Sequence, residues 1–153
     1  MPLGNLTSQF FANIYLNELD YFVKHKLKSK YYIRYVDDFV ILHESKEQLE
    51  DWKVEINSFL VNKLKLELHQ DKSKVTSLSK GIDFLGFRNY YYYKLLRKRN
   101  LRKFNLKVKE YKDCLVTKEK MFEILQGWQA YAKWGNTYRL REKISGELLH
   151  NKS

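Results

Sequence analysis

Apolar residues near the start of the chain recur at helical spacing. The stripe predicts a helix that begins after an N-cap at Thr7 or Ser8, ends near Leu27 and places the stripe in the core. Its members are Phe11, Ile14, Tyr15, Leu19, Phe22 and Val23.

Two short runs rich in aromatic and β-branched residues follow this helix. Residues 31–36 and 39–42 therefore predict two strands, with Asp37-Asp38 at the hairpin turn that joins them. Ser45, with Gln48 three residues later as in a capping box, predicts the start of a second helix. The buried face predicted for this helix comprises Leu49, Trp52, Ile56, Phe59 and Leu60.

Further strand patterns follow before residue 94. The alternation of Leu64, Leu66 and Leu68 with polar residues predicts a half-buried strand, and residues 75–78 predict another short one. Residues 81–93, which end in the run Tyr90–Tyr93, predict a final hairpin.

Helical periodicity dominates the rest of the chain. Three helices are predicted, the second capped by Thr117 and the third by Thr137, with Gly135-Asn136 as the stop between them. The inward positions are Leu101, Phe104, Val108 and Tyr111, then Phe122, Leu125 and Trp128, then Leu140, Ile144 and Leu148. The predicted fold class is α+β: residues 1–96 form an antiparallel sheet with helices on one face, and residues 97–153 form an all-α subdomain of three helices.

Composition and charge point to a polyanionic partner. The chain has 153 residues, 44% of them hydrophobic, and a net charge of +11. This hydrophobic content can build a core, and the positive charge favours nucleic acid, although a protein can be basic without such a partner. From Lys94 to Lys109 there are eight Lys or Arg and no acid, so this stretch is a candidate contact for phosphates; the alternative is a solvated helix face.

Several classes of site and location are disfavoured by the sequence. Cys114 is the single cysteine, which excludes a disulfide within the chain and fits a reducing cytosol. The four histidines show no metal-binding spacing. Neither a membrane-spanning apolar run nor a signal peptide is visible, so a cytoplasmic location is expected.

The adjacent carboxylates Asp37 and Asp38 are the strongest candidate for chemistry. Two like charges against an apolar ribbon repel each other and lose solvation, and a divalent cation removes that cost. Mg²⁺ is commonly held by one or two carboxylates together with substrate phosphates. The alternative is an ordinary turn, where Asp is frequent.

The order of motifs resembles a reverse transcriptase. Tyr35-Val36-Asp37-Asp38 matches the catalytic Tyr-x-Asp-Asp hairpin of that family, and residues 2–9 resemble its loop-to-helix segment under the template and incoming nucleotide. Residues 68–74 resemble its lysine-bearing motif and residues 84–87 its primer grip. Residues 127–131 and 136–141 resemble the helical thumb of bacterial members. The resemblance implies a partial polymerase palm followed by a thumb, from a bacterial or phage genome.

Residues 3–9 narrow the resemblance. Group II intron and many retron enzymes carry Gln-Gly-x-x-x-Ser-Pro here, whereas Leu3-Gly4-Asn5-Leu6-Thr7-Ser8-Gln9 resembles the enzymes of diversity-generating retroelements. Those enzymes copy an RNA template with frequent errors opposite adenine. The enzymes of diversity-generating retroelements also require an accessory protein, so the resemblance implies such a partner.

The resemblance implies a role for each matching residue. Asp37 is the stronger metal ligand and Asp38 the auxiliary one, for Mg²⁺ or alternatively Mn²⁺. Lys72 is the proton donor to pyrophosphate, unless it is simply a solvated loop lysine. The partners are an RNA template, a DNA or RNA primer and a dNTP. The template and nucleotide contacts are Gly4, Asn5, Ser8, Gln9 and Tyr35; the primer grip is Phe84, Leu85 and Gly86; the contacts to the nucleic-acid backbone are Arg97, Lys98, Arg99, Arg102 and Lys103.

One departure from the family limits these expectations. Its members carry a further catalytic Asp on a strand that precedes the segment matched by Pro2, and this sequence begins after that point. We therefore expect the chain to represent part of a longer polymerase and not to polymerise alone. The open alternatives are a non-catalytic nucleic-acid-binding remnant, a group II intron or retron enzyme, and an RNA-dependent RNA polymerase, which usually carries Gly-Asp-Asp.

Overall fold

Residues 6–150 are described by a computed structural model of the protein. They contain five α-helices and two small antiparallel sheets, which confirms the predicted α+β class. In chain order the elements are α1 (Leu6–Tyr21), β1 (Tyr31–Tyr35), β2 (Asp38–Leu42), α2 (Lys46–Phe59), β3 (Ile82–Phe84), β4 (Phe87–Asn89), β5 (Lys94–Leu96), α3 (Lys98–Lys112), α4 (Lys118–Ala132) and α5 (Tyr138–His150).

The chain divides into two compact units, one ending at Val75 and the other starting at Thr76. The predicted boundary after residue 96 therefore falls inside the second unit, between β5 and α3. The physical reason is that hydrogen bonds hold the sheet to the segments that follow it: Asn100 donates to the Gly86 carbonyl, Tyr131 donates to the Leu85 carbonyl, and Asn136 accepts from the N–H of Lys94. The division into palm and thumb stays a prediction.

In the first unit, two helices and a hairpin share one core. Both α1 and α2 continue into a single wide helical turn, over Phe22–Lys26 and Leu60–Leu64. The buried residues of this core are Leu16, Leu19, Val23, Ile56, Leu60 and Leu64, and Tyr32, Phe39 and Ile41 of the hairpin pack against them. Tyr31, Ile33 and Tyr35 alternate with Tyr32 along β1 and are exposed, so only one face of the hairpin is covered by described residues.

Two expectations for α1 are wrong. Phe11, Ile14 and Tyr15 are exposed, because nothing else in the described chain covers the first turns of the helix. The helix instead buries the narrower line Leu16, Leu19 and Val23. Thr7 and Ser8 do not occupy the N-cap, since the helix already includes Leu6 and an N-cap residue has non-helical backbone.

The strands predicted at residues 64–68 and 75–78 are also absent from the described chain. Leu64 instead closes the helical extension of α2, four residues after Leu60, and Lys65 ends it in the left-handed conformation. The Leu68 N–H then donates to the Asn57 side chain rather than to a sheet. Leu78–Lys80 forms a short 3₁₀ turn. Of the alternating leucines, only Leu64 thus follows helix spacing, whereas Leu66 and Leu68 lie in irregular chain after the helix has ended.

The second unit combines a three-stranded sheet in the order β3-β4-β5 with three helices. The hairpin predicted within residues 81–93 is present as β3–β4, but Tyr90–Tyr93 forms the connection to β5 instead of a strand. The helical core comprises Phe104, Met121, Leu125, Trp128, Ala132 and Ile144. Phe122 is exposed, contrary to the prediction, because Met121 takes the inward position on α4.

The predicted helix starts are largely confirmed. The Ser45 hydroxyl accepts from the Gln48 N–H at 3.0 Å and the Thr117 hydroxyl from the Lys120 N–H at 3.3 Å. Thr137 directly precedes α5, but its hydroxyl donates to the Ala132 carbonyl at 2.6 Å. None of the helices in residues 6–150 is long and apolar enough to cross a membrane.

Candidate active site

Asp37 and Asp38 lie at the tip of the β1–β2 hairpin. Tyr35 pairs with Asp38 across the ladder, so Val36 and Asp37 form a two-residue turn and Asp38 begins β2. Both carboxylates are exposed, as is Tyr35. The predicted position of the pair at a hairpin turn is confirmed, and its catalytic role stays a prediction.

The turn holds Val36 in an unfavourable backbone conformation. Its φ is +55°, in the left-handed region that a β-branched residue rarely adopts. A positive φ at the first central position is typical of the tight turns that match strand twist, but glycine usually supplies it. The conformation costs on the order of 1–3 kcal/mol, so surrounding contacts have to maintain it.

Arg34 supplies those contacts from within β1. One of its terminal nitrogens donates to the Val36 carbonyl at 2.6 Å and to Asn13 of α1 at 2.9 Å. Its Nε and other terminal nitrogen donate to the two carboxylate oxygens of Asp20 at 2.7 and 2.5 Å. Tyr32 also donates its hydroxyl to Asp20, at 2.6 Å. The guanidinium therefore ties the carboxylate turn to α1.

The electrostatics of this network favour the charged forms of Asp20 and Arg34. Burial alone would raise the pKa of Asp20, but hydrogen bonds from Arg34 and Tyr32 outweigh it, and the pKa lies below its usual value. The hydrogen bond to Asp20 raises the pKa of Arg34. Burial and the bond to Asp20 also raise the pKa of Tyr32, which keeps its hydroxyl protonated as a donor.

The carboxylate oxygens of the hairpin are suitable ligands for a hard divalent cation, but they come from only two residues, Asp37 and Asp38. Two adjacent, exposed carboxylates offer the oxygen ligands that Mg²⁺ accepts, with substrate phosphates as further ligands. Within residues 6–150, no three His, Cys, Asp or Glu side chains are grouped closely enough to hold a metal ion. The described residues can therefore supply two protein carboxylates to such a site.

The other residues predicted around the nucleotide are placed unevenly. Gly4 and Asn5 lie outside the described residues. Ser8 is half-buried and Gln9 exposed in the first turns of α1. Lys72 is exposed in a turn where its N–H donates to the His69 carbonyl at 3.2 Å. Among the ion pairs of residues 6–150, none joins Lys72 to Asp37 or Asp38.

The predicted primer grip forms the turn between β3 and β4. Leu85 and Gly86 have φ values of +50° and +82°, the pattern of a type I′ turn. The Gly86 carbonyl accepts from the Asn100 side chain at 3.1 Å, and that side chain also donates to the Tyr131 hydroxyl at 2.9 Å. Helices α3 and α4 thus fix this turn, with Leu85 exposed and Phe84 half-buried.

The predicted phosphate contacts lie at the start of α3. They are Arg97, Lys98, Arg99, Arg102 and Lys103, and all five are exposed. Arg97 also pairs with Asp83 at 3.3 Å. Cations in a first helical turn oppose the helix dipole, and the first turn of α3 has no acid to offset them. Phosphate groups at this end would relieve that repulsion.

The excess charge is confined to the second unit. Residues 1–75 contain eleven Lys or Arg and eleven Asp or Glu, whereas residues 76–153 contain eighteen and seven. The net charge of +11 therefore belongs to the unit that carries α3, and the unit that carries the carboxylate hairpin is neutral. This division separates a candidate reaction centre from a candidate polyanion surface.

Paired carboxylates on a hairpin of the first unit, together with a strongly basic second unit, are the combination expected of a nucleic-acid polymerase. The family model described as "Reverse transcriptase (RNA-dependent DNA polymerase)" matches residues 1–89. The match covers more than half of the chain, and the protein belongs to the reverse transcriptase family.

Individual relatives cover less of the chain. Group II intron-encoded protein LtrA of Lactococcus lactis subsp. cremoris is 42% identical over 57 residues, which are 37% of this chain and 10% of that protein. Protein YkfC of Escherichia coli (strain K12) is 29% identical over 132 residues, covering 65% of this chain and 33% of that protein. The chain thus spans a third or less of the length of these curated relatives.

Sequence reasoning missed the residues that support the two turns. Asp20 and Arg34 position the carboxylate turn, and Asn100 and Tyr131 hold Gly86. A signal for Arg34 was present, since a charged residue within an apolar strand run needs a partner when buried. The partners themselves are distant in sequence and carry no pattern.

Proposed function

We propose that this chain is part of an RNA-directed DNA polymerase that extends a DNA or RNA primer with dNTPs on an RNA template. The observation that carries the proposal is the Asp37-Asp38 turn inside the family-matched segment, held by Arg34 to α1. Arg34 contacts the backbone of the turn at Val36, and both carboxylates are exposed to solvent.

The reaction joins the primer 3′-hydroxyl oxygen to the α-phosphorus of the dNTP and releases pyrophosphate. In the proposed site Asp37 and Asp38 hold Mg²⁺, or Mn²⁺ in its place. When bound, such ions lower the pKa of the attacking hydroxyl and stabilise the leaving oxygens. Lys72 would supply a proton to pyrophosphate, since an ammonium lowers the charge that builds there.

The second unit would hold the nucleic acid. The Leu85-Gly86 turn is proposed to steady the primer end, because its carbonyls accept hydrogen bonds from Asn100 of α3, Tyr131 of α4 and the Arg97 N–H directly before α3. The exposed cations at the start of α3 would contact the phosphates of the RNA–DNA hybrid.

The proposal includes a third carboxylate from a preceding strand of the whole polymerase. The isolated chain should therefore show no template-dependent dNTP incorporation, and supplying the preceding polymerase segment should restore it. In the restored enzyme, Asp37→Asn should abolish incorporation, whereas Asp51→Asn, at an exposed acid on α2, should leave it intact. Incorporation by the 153-residue chain alone would refute the three-carboxylate arrangement.

A metal-binding measurement tests the hairpin without catalysis. Mn²⁺ should broaden the NMR amide signals of residues 36–39 more than those of Glu50 and Asp51, which are also adjacent exposed acids. Successive helical side chains diverge, whereas the turn can direct both carboxylates to one ion. Equal broadening at both pairs would contradict a metal site at the hairpin.

For the subtype, we propose a diversity-generating retroelement enzyme on the basis of Leu3 and Gln9, with an accessory protein as partner. The group II intron type is the second candidate, because the LtrA similarity favours it. In the full-length enzyme, Gln9→Pro should reduce errors opposite adenine if the first assignment is right. A low error rate in the parent enzyme and an unchanged spectrum in the variant would favour the group II type.

A non-catalytic nucleic-acid-binding remnant is the other candidate. The confinement of the positive charge to residues 76–153 favours it, since binding then needs no hairpin. It predicts salt-sensitive nucleic-acid binding with no Mn²⁺ effect at residues 36–39 and no incorporation after the preceding segment is supplied.

A further inference from the structure

The connection between β4 and β5 exposes an unusual amount of aromatic surface. Tyr90 and Tyr93 close the turn, with an N–H to carbonyl bond of 2.8 Å and rings stacked at 4.6 Å. The two residues between them, Tyr91 and Tyr92, are 76% and 89% exposed, and their rings meet edge to face at 4.5 Å. Turns usually carry Gly, Asn or Asp, so two solvated tyrosines have no role in forming this one.

A second exposed ring is held beside this turn. Asn136 and Lys94 exchange two hydrogen bonds, from the Asn136 N–H to the Lys94 carbonyl at 2.8 Å and from the Lys94 N–H to the Asn136 side chain at 3.2 Å. These bonds fix the segment after α4 against β5. The Lys94 ammonium lies 5.9 Å from the ring centroid of Trp134, which is 65% exposed. Trp134 and Lys94 are thereby fixed at the edge of the tyrosine turn.

A shallow cleft of about 290 Å³ lies beside Tyr92 and Lys94, and Tyr91 and Trp134 are outside its lining. Its lining combines aromatic rings, one cation and amides, namely Asn89, Tyr90, Tyr92, Tyr93, Lys94 and Asn136. Such a volume is near the lower end of the range for small-ligand sites. Flat rings and amide edges suit a planar heterocycle better than they suit an aliphatic side chain.

The charge around the cleft selects among occupants. No acid occurs between Asp83 and Glu110, and the unit carries eighteen Lys or Arg against seven Asp or Glu. Singly exposed aromatic residues are ordinary on protein surfaces, but grouped rings with a cation and no acid are the combination that binds unpaired nucleotides. The bases stack on the rings, and the cation meets the phosphate.

We propose that Tyr91, Tyr92 and Trp134 form a stacking platform for an unpaired segment of nucleic acid, with Lys94 at its phosphate. This platform is separate from the basic face of α3, which would contact the paired hybrid. The inference rests on the proposed nucleic-acid role of the second unit, but it requires neither the carboxylate hairpin nor polymerase activity.

Fluorescence of the 153-residue chain tests the platform directly. Trp52 and Trp128 are buried, so stacking on Trp134 should quench the exposed part of the emission. The probes are unstructured oligo(U) and oligo(dT) of about twelve nucleotides, within the size range of single-strand sites. We expect quenching by both probes, since stacking uses features that RNA and DNA share; tighter binding of one identifies the strand that uses the surface.

Variants separate stacking from charge. Tyr91→Ala with Tyr92→Ala should weaken oligonucleotide binding by about five- to tenfold, whereas the double Phe variant, which keeps the rings, should bind as the parent does. Phe122→Ala removes an exposed ring from α4, beside Glu119 and Glu123, and should have no effect. None of these changes should alter binding of an RNA–DNA hybrid by more than about twofold.

Other outcomes would overturn the proposal. Unchanged oligonucleotide binding by the double Ala variant excludes a platform at the turn, and equal losses for oligonucleotide and hybrid show a general defect in the unit. If neither oligo(U) nor oligo(dT) quenches the fluorescence, and the chain self-associates with increasing concentration in sedimentation, the surface binds a second copy of the chain. By contrast, absence of incorporation after the preceding polymerase segment is supplied, with oligonucleotide binding intact, would reject the polymerase function and support the platform.

Discussion

Arg34 shows how one side chain can determine the geometry of a turn. Its side chain is 10% exposed and its planar donors contact Asp20, Asn13 and the Val36 carbonyl together. A lysine has the charge but not the planar fork, so it cannot reproduce these contacts. The carboxylate turn thus depends on a residue that is not itself a candidate ligand.

Replacing Arg34 with Met should destabilise the first unit by about 1–3 kcal/mol, because it leaves part of the Asp20 carboxylate without a donor. Hydrogen exchange of the β1–β2 amides measures the loss of stability, because these amides report only on the first unit. Arg88→Met is the matched control, since its bidentate pair with Asp83 is exposed, with a side chain 50% accessible. A similar loss of amide protection from both substitutions would contradict the role given to Arg34.

The same network predicts an acid sensitivity. The pKa of Asp20 is lower in the folded chain than in the unfolded chain. The contribution of Asp20 to the free energy of unfolding is therefore complete above its pKa in the unfolded chain, about 3.9. That contribution is lost as the pH falls through its pKa in the folded chain. At pH 7, the β1–β2 amides of the parent chain should be better protected from hydrogen exchange than those of the Asp20→Asn variant. The difference in protection should shrink as the pH falls below the folded pKa of Asp20. A difference that persists unchanged at low pH would exclude Asp20 as its source.

At the scale of elements, the β3–β4 turn is held by close packing. A Cβ built on Gly86 would lie 1.9 Å from the Tyr131 hydroxyl and 2.9 Å from the Asn100 side-chain nitrogen. Its φ of +82° is also unfavourable for any other residue. The β3–β4 turn therefore admits no side chain at this position.

Gly86→Ala should lower the free energy of unfolding of the second unit by about 1–3 kcal/mol from backbone strain, with the clash in addition. Gly127→Ala is the control, because its Cβ would meet nothing within 4 Å on helix α4, and it should stabilise by about 0.5–1 kcal/mol. Thermal unfolding by circular dichroism compares them. Adding Tyr131→Phe to Gly86→Ala should recover part of the lost free energy of unfolding, because it removes the clashing hydroxyl. If nothing is recovered, backbone strain alone accounts for the loss.

Element types followed from the sequence where periodicity was long or a cap was present. The hairpin turn at Asp37, the cap at Ser45 and the helices around Phe104 and Trp128 were all predicted correctly. The strand predicted at residues 64–68 failed because Leu64 completes helix spacing from Leu60, and the chain after Lys65 is irregular rather than extended against a partner strand. Which face of α1 is buried, and which partners hold Arg34, depend on contacts between distant segments that a local pattern does not encode.

At the scale of the whole molecule, charge is distributed by unit. The neutral first unit carries the carboxylate hairpin, and the second carries the net charge of +11. Affinity for a polyanion should therefore reside in the second unit and depend steeply on salt, since each neutralised phosphate releases a counterion.

The logarithm of the binding constant for an RNA–DNA hybrid should fall linearly with the logarithm of the salt concentration, between about 50 and 200 mM salt. Arg102→Ala with Lys103→Ala should reduce the magnitude of that slope by about 1.5, as two lost phosphate contacts would. Lys46→Ala with Lys63→Ala, which removes two exposed lysines of the first unit, should leave the slope unchanged. Equal effects of the two pairs would show that binding follows overall charge rather than α3.

The uncovered face of the β1–β2 hairpin has a practical consequence for the isolated chain. A two-stranded ribbon with exposed Tyr31, Ile33 and Tyr35 on one face also presents strand edges with unpaired backbone groups to solvent. Surfaces of this kind recruit strands from other molecules, and the neutral charge of this unit gives little repulsion against it. Aggregation of the chain would thus begin at the hairpin that bears the carboxylates, and the positive charge of the second unit would oppose it.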